Sequence, residues 1–183
     1  MTTALLLVDI QNDYFPGGAM EVPGSVAAAE HAAALLAACR QRRLFVVHVR
    51  HVSTRPGASF FLPDTAGAAI HASVAPLAGE TEIVKHFPNS FRDTPLLDHL
   101  KKIGAKRLLI CGMMTQMCID ATTRAAFDLG FQCVVAGDAC AARPQSFGGR
   151  TVAAEDVHAA FLAALNGLYA RVLTSEAVIA ESL

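Results

Sequence analysis

The feature that most constrains this chain is a set of short apolar runs that do not alternate. Ala4 to Val8 is unbroken up to Asp9, and Leu44 to Val49, Thr81 to Lys85, Lys106 to Cys111, Phe131 to Ala136 and Ala170 to Leu173 follow the same pattern with few interruptions. A strand with one face in water alternates apolar and polar residues, whereas a strand covered on both faces reads as a continuous run. Helical stretches separate these runs. Ser25 stands where it can cap a helix that continues to about Arg43. Asp93-Thr94-Pro95 opens one to Ile103, with Pro95 in its first turn. Met117 to Leu129 is stopped by Gly130, and Thr151 to Leu165 and Ser175 to Ser182 complete the set. Alternation of this kind predicts an α/β protein, a three-layer α/β/α sandwich around a six-stranded parallel sheet. One domain covers residues 1–183.

A chain of 183 residues buries roughly 70% of the surface its unfolded form exposes, so it needs no disulfide or structural metal. Hydrophobic residues make up 53% and charged residues 17%, which is apolar for a monomer and predicts a homo-oligomer, a dimer or tetramer. The net charge is −1, and no basic run exceeds Gln41-Arg42-Arg43 or Lys101-Lys102. Nucleic acid and anionic membrane surfaces are therefore excluded as partners, and a small molecule is expected. The N-terminus has no basic segment or cleavage site, and no stretch reaches 18 apolar residues. A cytoplasmic protein is expected. Its five cysteines are odd in number and lack CxxC spacing, which predicts reduced thiols.

In open α/β sheets, ligands bind at the carboxyl ends of the strands. The first predicted strand ends at Asp9, the third at Lys85 and the fourth at Cys111-Gly112, with Cys118 at the start of the next helix. Each residue alone has an ordinary explanation. Asp9 can satisfy loop amides, Lys85 can extend to solvent, and Cys118 can be a small core thiol. Together they form a reacting set. A helix N-terminus and Lys85 would both favour thiolate over a thiol of ordinary pKa near 8.5. Asp9 is placed to take the thiol proton and later to activate water. Backbone amides of the Gly112 to Cys118 turn would receive the oxyanion, and the intermediate would be a thioester.

The long segment from His51 to Gly79, rich in proline and glycine, is expected to carry function or wrap a partner. Gln11 and Phe15 are candidates to line the site, Arg50 to hold a carboxylate, and Phe60, Phe61, Phe87 and Phe91 to form an apolar wall. Thr115 is a further substrate-side candidate, or orders the turn. Asp120 and Arg124 read as an i,i+4 pair. Asp138 closes the fifth strand and holds the loop before Ala139-Cys140.

The stretch Leu-Leu-Val-Asp-Ile-Gln-Asn-Asp-Tyr-Phe from Leu6 to Phe15, Lys85 with Ser90-Phe91, and Cys-Gly-Met-Met-Thr-Gln-Met-Cys-Ile-Asp-Ala-Thr-Thr-Arg-Ala from Cys111 to Ala125 resemble the isochorismatase-like cysteine hydrolase superfamily. The resemblance runs through nearly the whole chain. It implies strand order 3-2-1-4-5-6 and a catalytic triad of Asp9, Lys85 and Cys118. It also implies a cis peptide between Met113 and Met114, and an oxyanion hole from the amides of Met114 and Cys118. Nicotinamidases in this superfamily carry an Asp-x-His metal pair where this chain has His51 and Ser53. His48 and His51 lie on opposite faces of a strand, and with His71 they are expected to bind no metal. No cofactor is expected. True isochorismatases, which cleave a vinyl ether, have glycine where this chain has Cys118. The thiol therefore points to C–N hydrolysis of an amide, lactam, imide or ureido group. The catalytic turn is similar to that of streptothricin hydrolase-type members. The alternatives are a metal-assisted or vinyl-ether hydrolase, or a catalytically silent binding protein.

Overall fold

The fold was analysed in a computed structural model, which describes residues 1–181. Six strands form one sheet: β1 (Thr3–Val8), β2 (Phe45–His51), β3 (Thr81–Lys85), β4 (Arg107–Met113), β5 (Gln132–Ala141) and, last in the chain, β8 (Arg171–Leu173). All neighbours pair in parallel, in the order β3-β2-β1-β4-β5-β8. This is the expected α/β architecture. The strand expected sixth is the eighth in chain order, because two short strands precede it.

Those two, β6 (Gln145–Phe147) and β7 (Arg150–Val152), form an antiparallel hairpin outside the main sheet. The helix expected from Thr151 therefore starts only at Ala154, and Thr151 lies in β7. Gly148 and Gly149 both adopt positive φ, the conformation a two-residue hairpin turn requires.

Five α-helices surround the sheet: α1 (Ser25–Gln41), α2 (Leu96–Lys102), α3 (Asp120–Asp128), α4 (Ala154–Leu165) and α5 (Ser175–Glu181). The expectation that α5 reaches Ser182 falls outside the described residues. Ser25 does not cap α1. It is the buried first residue of the helix, and Gly24 occupies the cap with φ 76° and no side-chain bond. Pro95 is the cap of α2, one position earlier than expected. Asp138 does not end β5 but lies within it. Its carboxylate accepts hydrogen bonds from the Ser175 amide at 2.7 Å and the Ser175 hydroxyl at 3.0 Å, which ties the start of α5 to the sheet. Asp120 and Arg124 do pair along α3, at 2.9 Å.

The core is built on the two central strands. Leu5, Leu6, Leu7, Leu108, Leu109 and Ile110 are at most 2% exposed. At that burial both faces of β1 and β4 are covered, which is why their sequences do not alternate. At the carboxyl end of β4 the two strands come unusually close. A Cβ on Gly112 would sit 1.9 Å from the Val8 carbonyl oxygen, and Gly112 has φ 127°. Only glycine fits there. The strand register against β5 also shifts between Ile110 and Gly112, a bulge beside the site. No helix among the described residues is long and apolar enough to cross a membrane. All five cysteines are free and buried.

Candidate active site

The site lies where the order of the sheet reverses, between β1 and β4. Asp9 immediately follows β1. Its φ is 53° and its amide donates to the Val49 carbonyl at 2.8 Å, so β2 holds it in a left-handed conformation uncommon outside glycine, asparagine and aspartate. Lys85 ends β3, two strands away, and its long side chain crosses beneath the end of β2 to reach Asp9. Cys118 follows β4. The sequence placed it at the start of an α-helix, but residues Thr115–Ile119 form a π-helical turn instead, with the Ile119 amide donating to the Met114 carbonyl at 3.2 Å. Turns of this type recur at functional sites. The peptide bond between Met113 and Met114 is cis.

The three side chains meet. Lys85 Nζ lies 2.6 Å from Asp9 Oδ2 and donates to Cys118 Sγ at 3.2 Å and to the Phe87 carbonyl at 3.1 Å. Asp9 and Lys85 are fully buried and Cys118 is 5% exposed. His51 Nδ1 is the fourth neighbour of the ammonium, at 3.3 Å. Facing a cation, this nitrogen is an acceptor, which puts the imidazole proton on Nε2.

The electrostatics correct one expectation. Burial drives the Cys118 thiol well above its ordinary range, and the neighbouring Asp9 adds to this, while Lys85 pulls the other way and is outweighed. The balance of these influences favours the neutral thiol over the thiolate that a cation and a helix end suggested, because desolvation exceeds both. Burial also lowers Lys85, but the Asp9 carboxylate and the hydrogen bonds to Asp9 and Cys118 oppose it, and the amine is held above its usual value, as an ammonium. Burial pushes His51 down to about 4, so it is neutral at physiological pH.

The Cys118 sulfur opens on a cavity of about 400 Å3, walled by Tyr14, Phe60, Phe61, Phe87, Pro88, Met114 and Met117 and rimmed by Ser53, Thr54, Arg55 and His86, with His51 at its base. Three of the four phenylalanines expected as an apolar wall are there. The fourth, Phe91, packs against the core and Phe131 at a ring separation of 6.1 Å.

Other expected substrate contacts lie elsewhere. Gln11 is fully buried and is a clamp for the chain. It donates to the carbonyls of His51 and Ala68, both at 2.8 Å, and accepts from the His51 amide at 2.7 Å. Phe15 stacks on His71 with ring centroids 3.7 Å apart. Arg50 is paired with Glu82 at 2.5 Å. Thr115 is buried and bonded to His158 Nδ1 at 2.9 Å, so it orders the turn by tying it to α4. Tyr14, Ser53, Arg55, His86 and Met117 were missed as lining residues. They come from loops and turns, whose direction no periodicity reports.

The histidines do not gather as a metal set. His48 Nε2 is 2.9 Å from Glu80 Oε2, and His71 Nδ1 is 2.9 Å from Ser73 Oγ. Asp9, His51 and Cys118 do present ligand-type atoms within 4.8 Å of one another. The Lys85 ammonium, however, already contacts all three, and a metal cation would have to displace that charge.

Comparison with known proteins identifies the family. The model of the Isochorismatase domain matches residues 3–177. An uncharacterized isochorismatase family protein from Bacillus subtilis, YddQ, is 51% identical over 179 residues, covering 98% of this chain and 99% of the relative. Streptothricin hydrolase from Streptomyces noursei is 36% identical over 136 residues. That match covers 74% of this chain and 48% of the relative, so it concerns about half of that protein. The crystal structure of an Oleispira antarctica protein named for the isochorismatase hydrolases superposes with a TM-score of 0.95. It shares 54% identity, covering 98% of this chain and 96% of that one. Family relatives include enzymes that act on amides, a maleamate amidohydrolase among them. With the sheet order, the sequence match and the structural match in agreement, the chain belongs to the isochorismatase family of hydrolases.

Proposed function

We propose that the protein is a cysteine amidohydrolase that opens a C–N bond of a small molecule. The observation that carries this reading is one ammonium, Lys85 Nζ, touching a carboxylate at 2.6 Å and a thiol at 3.2 Å beside a cavity of about 400 Å3. Burial raises the Cys118 thiol above its ordinary range, which favours proton removal together with attack over a standing thiolate. Asp9 takes the Cys118 proton as Sγ bonds to the carbonyl carbon of the substrate. The oxyanion is received by the amides of Met114 and Cys118, and Lys85 holds the carboxylate in place. Asp9 then passes the proton to the leaving nitrogen, the C–N bond breaks, and a thioester remains. Water attacks the thioester, Asp9 takes its proton, and the acid product leaves as the thiol is regained. His51, neutral and bound to Lys85, orients the ammonium. The amide-directed relatives support the same class of reaction.

The test is a panel of primary amides, lactams, carbamates and ureas assayed for ammonia or ring-opened product. Cys118→Ala, folded by circular dichroism, should show no turnover. Full activity in that variant would end the reading in favour of a route that does not use the thiol.

A homo-oligomer is part of the proposal. Phe147, Leu168 and Leu129 are 92%, 65% and 45% exposed, large apolar side chains that a second copy would cover.

A further inference from the structure

The charge of the cavity rim points to a class of substrate, an inference that rests on the amidohydrolase reading. We infer that the preferred substrate is a compact amide with an aromatic or branched hydrocarbon body and an anionic group at the far end, and that Arg55 receives that group. The walls near the sulfur are rings and thioethers, Phe60, Phe61, Phe87 and Met114 among them. No aspartate or glutamate lines the cavity among the described residues. Asp9 lies beneath it, already against Lys85. A cationic substrate would find no counter-charge there, and its desolvation would be uncompensated.

Arg55 is the one permanently charged residue of the rim. Its guanidinium forms no ion pair among the described residues, in contrast to Arg40, Arg50 and Arg124, which are bound to Glu80, Glu82 and Asp120. Its charge reaches His51, which it lowers slightly, after burial, Lys85 and His86. A guanidinium offers a paired set of donors that matches a carboxylate. The carboxylate-binding role that the sequence suggested for Arg50 thus passes to Arg55, because Glu82 occupies Arg50.

The experiment compares phenylacetamide with its para-carboxylate and para-aminomethyl derivatives. kcat/KM should be about tenfold higher for the carboxylate than for the neutral amide, and lowest for the amine. Arg55→Gln should reduce the carboxylate advantage to about twofold or less through KM, and Arg55→Glu should invert the order. An unchanged ratio in Arg55→Gln, or preference for the amine, overturns the inference while leaving the hydrolase reading intact. Equilibrium binding of the same three compounds to Cys118→Ala separates the two questions. Carboxylate-selective binding without wild-type turnover keeps the inference and sinks the hydrolase. Equal binding of all three, or binding of none, overturns the inference.

Discussion

Replacing Lys85 by methionine is the sharpest test of the buried site. The change is close to isosteric, so its effect on packing is small, but it removes the cation 2.6 Å from Asp9 where both residues are fully buried. Breaking such a pair leaves one charge without compensation and costs about 3–5 kcal/mol. In a protein of this size each kcal/mol lowers Tm by about 2–4 °C, so a fall of roughly 6–20 °C is expected. Urea unfolding should show the same loss as a lower midpoint with an unchanged slope. The double variant Asp9→Asn with Lys85→Met removes both charges and should recover most of that stability while remaining inactive. The cycle of four proteins isolates the coupling. If Lys85→Met unfolds within about 2 °C of wild type, or the double variant is no more stable than the single, the charges are not held out of water.

Iodoacetamide should label Cys118 more slowly than free cysteine at neutral pH, because burial holds the thiol well above its ordinary value. The rate should still be climbing at about pH 10, and a plateau below about pH 8 would show a resting thiolate instead. Gly112→Ala should cost more than about 3 kcal/mol or prevent folding, since the new Cβ would meet the Val8 carbonyl at 1.9 Å. Soluble expression at wild-type Tm would refute that packing. Glu80 is held down at about 2, first by its bond to Arg40, with the Leu77 amide and His48 adding to it. A depressed carboxyl stabilises the fold above its unfolded value and loses that contribution as pH falls. Its share, about 1–2 kcal/mol after solvent screening, should disappear between roughly pH 4.5 and pH 2 and be absent throughout in Glu80→Gln. Equal acid sensitivity of the two proteins would count against it. Light scattering should give a mass of at least twice 19.3 kDa, and a monomer at micromolar concentration would refute self-association.

Strand burial, the alternation of strands with helices, and the meeting of Asp9, Lys85 and Cys118 were legible without coordinates. The non-alternating runs at Ala4 to Val8 and Lys106 to Cys111, short and set between helical stretches, read as strands covered on both faces. A parallel sheet then brings their carboxyl ends to one rim, with Asp9, Lys85 and Cys118 on it. Local periodicity carries that much because it reports which faces are covered. It does not report where loop side chains point. Gln11 and Arg50 stood at the right positions in the chain and turned out to be occupied, one by the His51 backbone and the other by Glu82. Arg55 and Tyr14 line the cavity because the chain folds over it, and neither the loop that carries Arg55 nor the motif that contains Tyr14 reports that direction. The protonation of the thiol was also a tertiary matter. A cation beside sulfur favours thiolate, but the depth of burial around Cys118 outweighs it, and depth is set by everything packed above the site.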